Sequence, residues 1–163
     1  MKRIGILSDT HGYWDARYAK HFADCDEIWH AGDIGSNEII DRLSEIAPLI
    51  AVAGNIDDST TRRTCGTLKT WTTEGVKVMM THIGGYPGKY APGIRFKIET
   101  NRPDIFVAGH SHILKVMYDR SLNTLHINPG AAGVYGWQAV RTLVKLTLDS
   151  GTIKDLEVIE LGK

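Results

Sequence analysis

The sequence predicts an α/β protein built as a two-sheet β-sandwich flanked by helices. Three observations support this prediction: strands and helices alternate in the first half, the later part of the chain has mainly strand periodicity, and turn residues separate the segments. Alternation of strand and helix is typical of a parallel sheet, whereas strands joined by tight turns pair antiparallel. We therefore expect a parallel-rich first half to meet an antiparallel second half.

Short buried strands and helices alternate over the first part of the chain. The strands are β-branched and aliphatic runs, and the helices place apolar side chains at helical spacing. Ser36 can cap the second helix. In chain order the predicted segments are strand 3–8, helix 14–22, strand 27–30, helix 36–46 and strand 49–53.

After residue 66 the segments become shorter and turns become frequent. Glu74-Gly75 and Asp149-Ser150-Gly151 each separate two strand-like runs and therefore predict hairpins. One helix is predicted, and it stops before Pro103. The predicted segments are strands 68–73, 76–81, 105–108, 115–119, 124–127, 139–148 and 152–161 and helix 94–100.

Length and charge limit the function classes. The 163 residues fit one domain, residues 1–163, and 19 Lys and Arg balance 19 Asp and Glu. A neutral chain without a basic run lacks the phosphate attraction that an extended nucleic-acid surface needs. No apolar run approaches the roughly 20 residues of a membrane span, and Cys25 and Cys65 are expected to be reduced thiols. We therefore expect a cytoplasmic protein without membrane contact.

Gly-containing clusters of polar side chains follow the predicted core strands. Ligands of α/β sheets bind beyond the carboxyl ends of the strands, so side chains from separate strands can converge there. Pairs at spacing i and i+2, such as Asp9 with His11 and His110 with His112, lie on the same side of an extended backbone. The clusters are Asp9-Thr10-His11-Gly12, His30-Ala31-Gly32-Asp33, Gly54-Asn55-Ile56-Asp57, Thr81-His82 and Gly109-His110-Ser111-His112.

Seven side chains in these clusters form a mixed nitrogen and oxygen donor set. They are Asp9, His11, Asp33, Asn55, His82, His110 and His112. Four His, two Asp and one Asn suit Mn, Fe, Ni, Co or Zn better than Ca, which prefers oxygen alone. Seven ligands exceed what one tetrahedral ion needs and favour two ions that share one carboxylate.

The order of these motifs resembles that of the calcineurin-like metallophosphoesterase superfamily, and most closely its small bacterial and archaeal phosphodiesterase branch. The motifs are Asp9-x-His11, Gly32-Asp33, Gly54-Asn55, His82 and Gly109-His110-x-His112. The resemblance covers residues 4–130. It implies a four-layer α-β-β-α fold and a metal-dependent phosphoesterase that acts on diesters in preference to monoesters.

The resemblance also implies a role for each ligand. Asp9, His11, Asp33 and His112 would hold one divalent ion. Asp33, Asn55, His82 and His110 would hold the other, which makes Asp33 the bridge. Mn is the first candidate for both ions, and Ni, Co, Fe and Zn are alternatives. A hydroxide between the two ions would attack a small phosphate ester.

Ile56 occupies the position where larger members of the superfamily carry a His directly after the metal-binding Asn. That His is thought to assist the leaving group, so its absence favours the small phosphodiesterase branch. Besides Asp33 and Asn55, His30 is a candidate for a catalytic role, because it could orient ligands or touch substrate. A simple buried histidine is the equally weighted alternative.

Three residues are candidates for substrate contact. The Gly- and Pro-rich segment 83–90 follows His82 at a point where relatives usually place a Gly. A loop of this kind predicts one wall of the substrate site, with Tyr86 and Lys89 on it. Arg62 follows the Asn55 loop closely enough to reach a phosphate, with a solvated surface charge as the alternative.

The sequence leaves two other functions open. A eukaryotic retromer subunit is similar to this branch and uses the fold as a protein-interaction scaffold with a degraded metal site. Here all seven positions keep competent side chains, which favours the enzyme. A metal-dependent nuclease for short oligonucleotides or cyclic nucleotides is the third alternative. Relatives are commonly dimers or larger, so the resemblance also allows a homo-oligomer.

Overall fold

The structure is a computed structural model and describes residues 1–162. Its helices are α1 (Ala16–Phe22), α2 (Asn37–Ile46), α3 (Ser59–Cys65) and α4 (Ile94–Asn101). Its strands are β1 (Lys2–Leu7), β2 (Glu27–His30), β3 (Leu49–Ala51), β4 (Leu68–Thr73), β5 (Val76–Thr81), β6 (Gly85–Tyr86), β7 (Lys89–Tyr90), β8 (Ile105–Val107), β9 (Leu114–Asp119), β10 (Thr124–Pro129), β11 (Arg141–Asp149) and β12 (Thr152–Gly162).

The strands form two five-stranded sheets and one small ribbon. The first sheet has the order β12-β11-β1-β2-β3, the second has the order β4-β5-β8-β10-β9, and β6 pairs with β7. In the first sheet β1, β2 and β3 are parallel to one another, β11 is antiparallel to β1, and β12 is antiparallel to β11. In the second sheet β8 is parallel to β5 and β10, and the edge strands β4 and β9 are antiparallel.

The two sheets pack face to face and helices cover their outer faces. Ile4 of β1 and Val78 of β5 belong to the apolar core between the sheets. Helices α1, α2 and α3 pack on the outer face of the first sheet, where Leu43 is fully buried. Helix α4 packs on the outer face of the second sheet through Ile98. The predicted fold class is therefore confirmed.

The distribution of strand directions differs from the prediction. Both sheets are mixed. In the first sheet the hairpin β11-β12 returns to pair with β1, with Leu146 opposite Ile4, and in the second sheet β8 pairs parallel with β5 and β10. Periodicity identifies this hairpin but does not specify its partner strand. The expected parallel half facing an antiparallel half is wrong, whereas both predicted hairpins, at residues 74–75 and 149–151, are confirmed.

Helix α3 is not predicted by apolar periodicity, because only Cys65 of its seven residues is buried. Its ends are fixed locally instead. The Asp58 carboxylate accepts a hydrogen bond from the Thr61 backbone N–H at 2.8 Å, and the Gly66 N–H donates to the Arg62 carbonyl. No helix within residues 1–162 is long and apolar enough to cross a membrane.

Candidate metal centre

The seven candidate ligands come from loops that follow parallel strands. Strands β1, β2 and β3 end shortly before Asp9, Asp33 and Asn55, and strands β5 and β8 end shortly before His82 and His110. The carboxyl ends of these parallel strands, from both sheets, meet at one edge of the sandwich. Backbone hydrogen bonds join the loops, including Asp9 N–H to the Gly32 carbonyl and Gly109 N–H to the His82 carbonyl.

The first group of ligands contains Asp9, His11 and His112, whose ligand atoms all lie within 4.8 Å of one another. Asp9 Oδ1 is 3.2 Å from His112 Nε2 and 3.8 Å from His11 Nε2. The other oxygen, Oδ2, accepts hydrogen bonds from the Ser8 hydroxyl at 2.7 Å and the His110 backbone N–H at 3.1 Å. One oxygen is thus held by the protein, and the other faces the two imidazoles.

The second group contains Asp33, His82 and His110, again with ligand atoms within 4.8 Å of one another. Asp33 Oδ2 lies 3.2 Å from His82 Nε2, and Asp33 Oδ1 accepts the Ile56 backbone N–H at 3.1 Å. Asn55 joins this group, because its Oδ1 lies 3.1 Å from His110 Nδ1. The structure therefore brings all seven candidate ligands together.

Asp33 lies between the two groups. Its Oδ2 is 3.5 Å from His11 Nε2 in the first group and 3.2 Å from His82 Nε2 in the second. The Gly54 backbone packs so closely against Asp33 that an added Cβ would lie 2.1 Å from Asp33 Oδ1. This arrangement fixes the carboxylate between the two groups.

Five of the seven candidate ligands have left-handed backbone conformations. Their φ values are 56° for Asp9, 46° for His11, 54° for Asp33, 72° for His110 and 64° for His112. Such conformations are uncommon for residues other than Gly and cost about 1–3 kcal/mol each. The surrounding hydrogen bonds hold them, and the strained turns aim the five side chains at one region. Strain of this kind is concentrated at functional sites.

Three buried polar atoms in this region have no hydrogen-bond partner within residues 1–162: Asp9 Oδ1, His11 Nε2 and His82 Nε2. His82 Nδ1 lies 2.8 Å from the Ala31 carbonyl, which can only accept. This contact requires the proton on Nδ1, and the neutral ring then has its Nε2 lone pair facing Asp33. Two acceptors at this distance repel each other unless a cation lies between them. The donor set therefore fits a divalent metal.

The electrostatics lead to the same conclusion. Burial opposes ionisation of Asp9, but the nearby His11, His112 and His82 imidazoles outweigh it and hold the pKa of this carboxyl well below its ordinary value. Burial likewise opposes a charge on His82, yet Asp33 and Asp9 raise its pKa above the ordinary value. Asp9 also raises the pKa of His112. The carboxylates thus favour positive charge at the point where the two groups meet.

His30 lies beneath the site and is fully buried. Its Nδ1 accepts the Gly32 N–H at 3.1 Å, so its Nε2 donates to the Thr10 hydroxyl at 3.0 Å, and Thr10 in turn donates to the Ile34 carbonyl. Burial lowers the pKa of His30 to about 4, so the ring is neutral. Both nitrogens are occupied, which contradicts a substrate contact and leaves His30 as a residue that positions the loops.

Asp57 also has a structural task. Its two carboxylate oxygens accept backbone N–H groups from Ile34 at 3.1 Å, Gly35 at 2.9 Å and Gly54 at 2.8 Å. The side chain is buried and fastens the loop after β2 to the loop after β3. Asp33 and Asn55 are held at a fixed separation as a result.

The three candidates for substrate contact lie in different places. Arg62 is beside the site: its guanidinium donates to the Asn55 carbonyl at 3.1 Å, and it lines a cleft with His82. Tyr86 lies on the outer face of the second sheet, with its ring 6.1 Å from that of His126. Lys89 is exposed on the same small ribbon, paired with Tyr86. The structure therefore packs Tyr86 beside His126 instead of bringing it to the candidate ligands, and Lys89 is exposed on the same ribbon.

Two residues at the site are missed by the sequence reasoning. Gln138 Oε1 accepts from His112 Nδ1 at 3.1 Å, which directs His112 Nε2 toward Asp9. Tyr135 places its ring 4.7 Å from the ring of His11. Both lie in the loop between β10 and β11, where the only signal was a Gly-rich stretch with aromatic residues.

Comparison with known proteins agrees with the fold and with the family that the sequence motifs resemble. A family model described as the calcineurin-like phosphoesterase superfamily domain matches residues 1–151. A probable metallophosphoesterase of Methanocaldococcus jannaschii is 30% identical over 142 residues, which cover 80% of this chain and 68% of that protein.

Solved structures share the architecture. Wild-type Vps29 of Entamoeba histolytica in complex with Zn²⁺ has a TM-score of 0.75 at 15% identity and covers 97% of this chain and 98% of its own. A structure described as a novel archaeal phosphodiesterase has a TM-score of 0.74 at 23% identity, with 98% and 99% covered. At this identity the two structures establish the fold alone. Because the family model spans nearly the whole chain, the protein belongs to the calcineurin-like phosphoesterase superfamily.

Proposed function

We propose that this protein is a metal-dependent phosphoesterase that hydrolyses small phosphodiesters with two divalent ions. The observation that carries the proposal is Asp33 Oδ2, which lies 3.5 Å from His11 Nε2 and 3.2 Å from His82 Nε2 and so connects two groups of metal-competent side chains. Two ions bound there would supply Lewis-acid chemistry, activating water and offsetting charge on the phosphate oxygens.

The proposed ligands divide as the two groups do. Asp9, His11, Asp33 and His112 would hold one ion, and Asp33, Asn55, His82 and His110 would hold the other. Neutral imidazole and carboxylate donors suit Mn, with Ni, Co, Fe and Zn as alternatives. Because ligands must be deprotonated, the contacts of His82 with Ala31 and of His112 with Gln138 are important: each places the ring proton on Nδ1 and leaves Nε2 free.

The chain's own residues provide the rest of the site. Asp57 and His30 hold the loops, and Arg62 is positioned to bind a phosphate oxygen beside Asn55. Ile56 is 48% exposed and offers no proton to a leaving group. This supports esters whose leaving group needs little protonation, and an aryl phosphodiester is the first substrate to test.

The test compares Asp33→Asn with a matched control, Asp41→Asn on the exposed face of α2. The protein is freed of metal by chelation and reloaded in turn with Mn, Ni, Co, Zn and Mg, and hydrolysis of bis(p-nitrophenyl) phosphate is measured with metal content on the same sample. We expect no activity without metal and a loss of more than about 100-fold in the Asp33 variant, beyond the range for residues that only support a ligand. The control should retain full activity. Full activity after chelation, or in Asp33→Asn, would contradict the proposal.

A second candidate is a non-catalytic scaffold for protein interaction on the same fold. The observation that favours it is apolar exposure next to the site, where Trp137 is fully exposed and Tyr135 is 66% exposed. Fewer than one divalent ion bound per chain, together with no hydrolysis across the metal series, would replace the enzyme with the scaffold.

A further inference from the structure

An open cleft of about 590 Å³ adjoins His110 and His112. One wall is the segment that follows β8, and the other is the loop between β10 and β11. Its size lies within the range of small-ligand sites. The remaining lining residues are Ser111, Ile113, Tyr135, Gly136, Trp137 and Gln138.

The second wall is fixed against the candidate metal ligands. Gln138 Nε2 donates to the Gly133 carbonyl at 3.0 Å and the Tyr135 carbonyl at 2.9 Å, while its Oε1 accepts from His112. Gly136 has a φ of 119°, and an added Cβ would lie 2.2 Å from His112 Nδ1. The loop is therefore shaped by its contacts with the site, and the position of its aromatic side chains depends on those contacts.

The walls of the cleft present exposed aromatic and aliphatic side chains. Trp137 is 103% exposed, Tyr135 is 66% exposed and Ile113 is 62% exposed. Among residues 1–162, those that line the cleft include no Lys, Arg, Asp or Glu. Exposed indole and phenol rings beside a polar centre can stack on a planar group, whereas these lining residues offer no acidic or basic side chain to pair with a second charge.

The Ser111 hydroxyl is a polar group of this cleft that can still donate a hydrogen bond. Ser111 Oγ accepts hydrogen bonds from the Asn128 side-chain amide at 3.1 Å and from the Ile113 N–H at 3.2 Å. Both lone pairs are thereby used, so the hydroxyl proton is free to be donated. The cleft thus offers the Ser111 hydroxyl as a donor together with aromatic and aliphatic walls.

We propose that this cleft binds a planar, uncharged group attached to the phosphate, such as an aryl ring or a nucleobase, by stacking on Trp137. This proposal rests on the proposed function, because it assumes that the phosphate of the substrate binds at the two groups of candidate metal ligands. An acceptor atom on the planar group would accept a hydrogen bond from the Ser111 hydroxyl. The substrate class is then an aryl or nucleoside phosphodiester rather than a purely aliphatic one.

The experiment measures binding of phenylphosphonate and methylphosphonate, which cannot be hydrolysed as esters, to the Mn-loaded full chain by calorimetry. The variants are Trp137→Ala and Trp137→Phe. The matched control is Phe96→Ala, since Phe96 is an exposed aromatic residue on α4, outside the cleft. Because Trp137 is fully exposed, its replacement leaves no cavity in the core.

We expect wild type to prefer phenylphosphonate by about tenfold, the lower part of the range for stacking on an aromatic side chain. Trp137→Ala should lose this preference without change in methylphosphonate binding, and Trp137→Phe and Phe96→Ala should keep it. Equal binding of the two phosphonates, no binding of either, or a preference that survives in Trp137→Ala would overturn the proposal.

Two further readouts separate the alternatives. Hydrolysis of bis(p-nitrophenyl) phosphate on the same samples tests the proposed function alone, so a phenyl preference without hydrolysis would refute the enzyme and keep the subsite. Light scattering tests whether a second copy of the chain covers the cleft. A wild-type dimer that becomes a monomer in Trp137→Ala, with no phenyl preference, would replace the subsite with an interface.

Discussion

His82 and His126 are both buried, and both have ring nitrogens without a hydrogen-bond partner within residues 1–162. Their surroundings differ. His82 Nε2 lies 3.2 Å from Asp33 Oδ2, at the edge where the polar loops meet. His126 lies on the outer face of the second sheet, with its ring 5.7 Å from that of Phe106 and 6.1 Å from that of Tyr86.

The comparison teaches that an unpartnered nitrogen does not identify a metal ligand by itself. At His82 the neighbouring carboxylates favour a cation, and the hydrogen bond from Nδ1 to the Ala31 carbonyl fixes the position of the ring proton. At His126 the neighbours are aromatic rings, and the unpartnered nitrogens are an unfavourable feature of the packing. The same deficit in hydrogen bonds therefore has opposite meanings, decided by the charge of the surroundings.

The largest expected effect separates the two histidines directly. His82→Ala should lower Mn affinity by more than about 100-fold, because it removes a ligand rather than a residue that supports one. His126→Phe should leave Mn affinity unchanged. Equilibrium titration of the metal-free variants measures both. Equal losses in the two variants would mean that His82 is no more a metal ligand than His126.

The next effect concerns acid stability. Burial lowers the pKa of His126 from 6.5 to about 4, with Lys115 lowering it further and Asp119 raising it. Between these values the unfolded chain binds a proton that the folded chain excludes, so stability is lost as pH falls from 6.5 toward 4. We expect His126 to account for about 2 kcal/mol of that loss.

The measurement is urea unfolding of the wild type and of His126→Phe at pH 7, 5.5 and 4.5. The variant should have a flatter dependence on pH in this range. Part of the dependence should remain, because burial also lowers the pKa of His30 to about 4. An unchanged slope would mean that His126 does not titrate as its burial requires.

At neutral pH the same substitution should raise the free energy of unfolding by about 1–2 kcal/mol. Replacing His126 by Phe removes two buried nitrogens that lack partners and keeps a planar ring among aromatic neighbours. Thermal and urea unfolding measure the change. Destabilisation would indicate that the nitrogens have a partner, such as a buried water.

The smallest effect is expected at Gln138. Removing the acceptor that orients His112 in Gln138→Ala should weaken Mn binding by about tenfold. Gln138→Glu keeps an acceptor for His112 but loses the hydrogen bonds to the Gly133 and Tyr135 carbonyls, so it should restore only part of the affinity. If both variants bind Mn like the wild type, His112 needs no support from this loop.

The candidate ligands could be predicted from the sequence because each belongs to a short motif at the end of a strand. Asp9 and His11, for example, come just after β1, and their i, i+2 spacing is enough to predict that they act as a pair. Gln138 belongs to no motif, and its contact with His112 depends on how a distant loop folds back. Such contacts are set by tertiary packing, which local spacing does not encode.

In the fold, too, features set by local signals could be predicted and features set by tertiary packing could not. Predicted strands and hairpins agree with β4-β5 and β11-β12, since turn residues and periodicity are local signals. The sheet that receives β11 could not be predicted, and neither could α3, which has one buried residue. The burial of His30 and the position of Tyr86 likewise depend on packing partners far away in the chain.

The pairing of β1 with β11 also has a consequence for synthesis of the chain. Strand β1 occupies the centre of the first sheet, and its neighbour on one side is residues 141–149. A nascent chain that ends before residue 141 already contains all seven candidate ligands but lacks that neighbour. We expect the first sheet, and with it the metal centre at its edge, to be complete only after residues 141–149 have been synthesised.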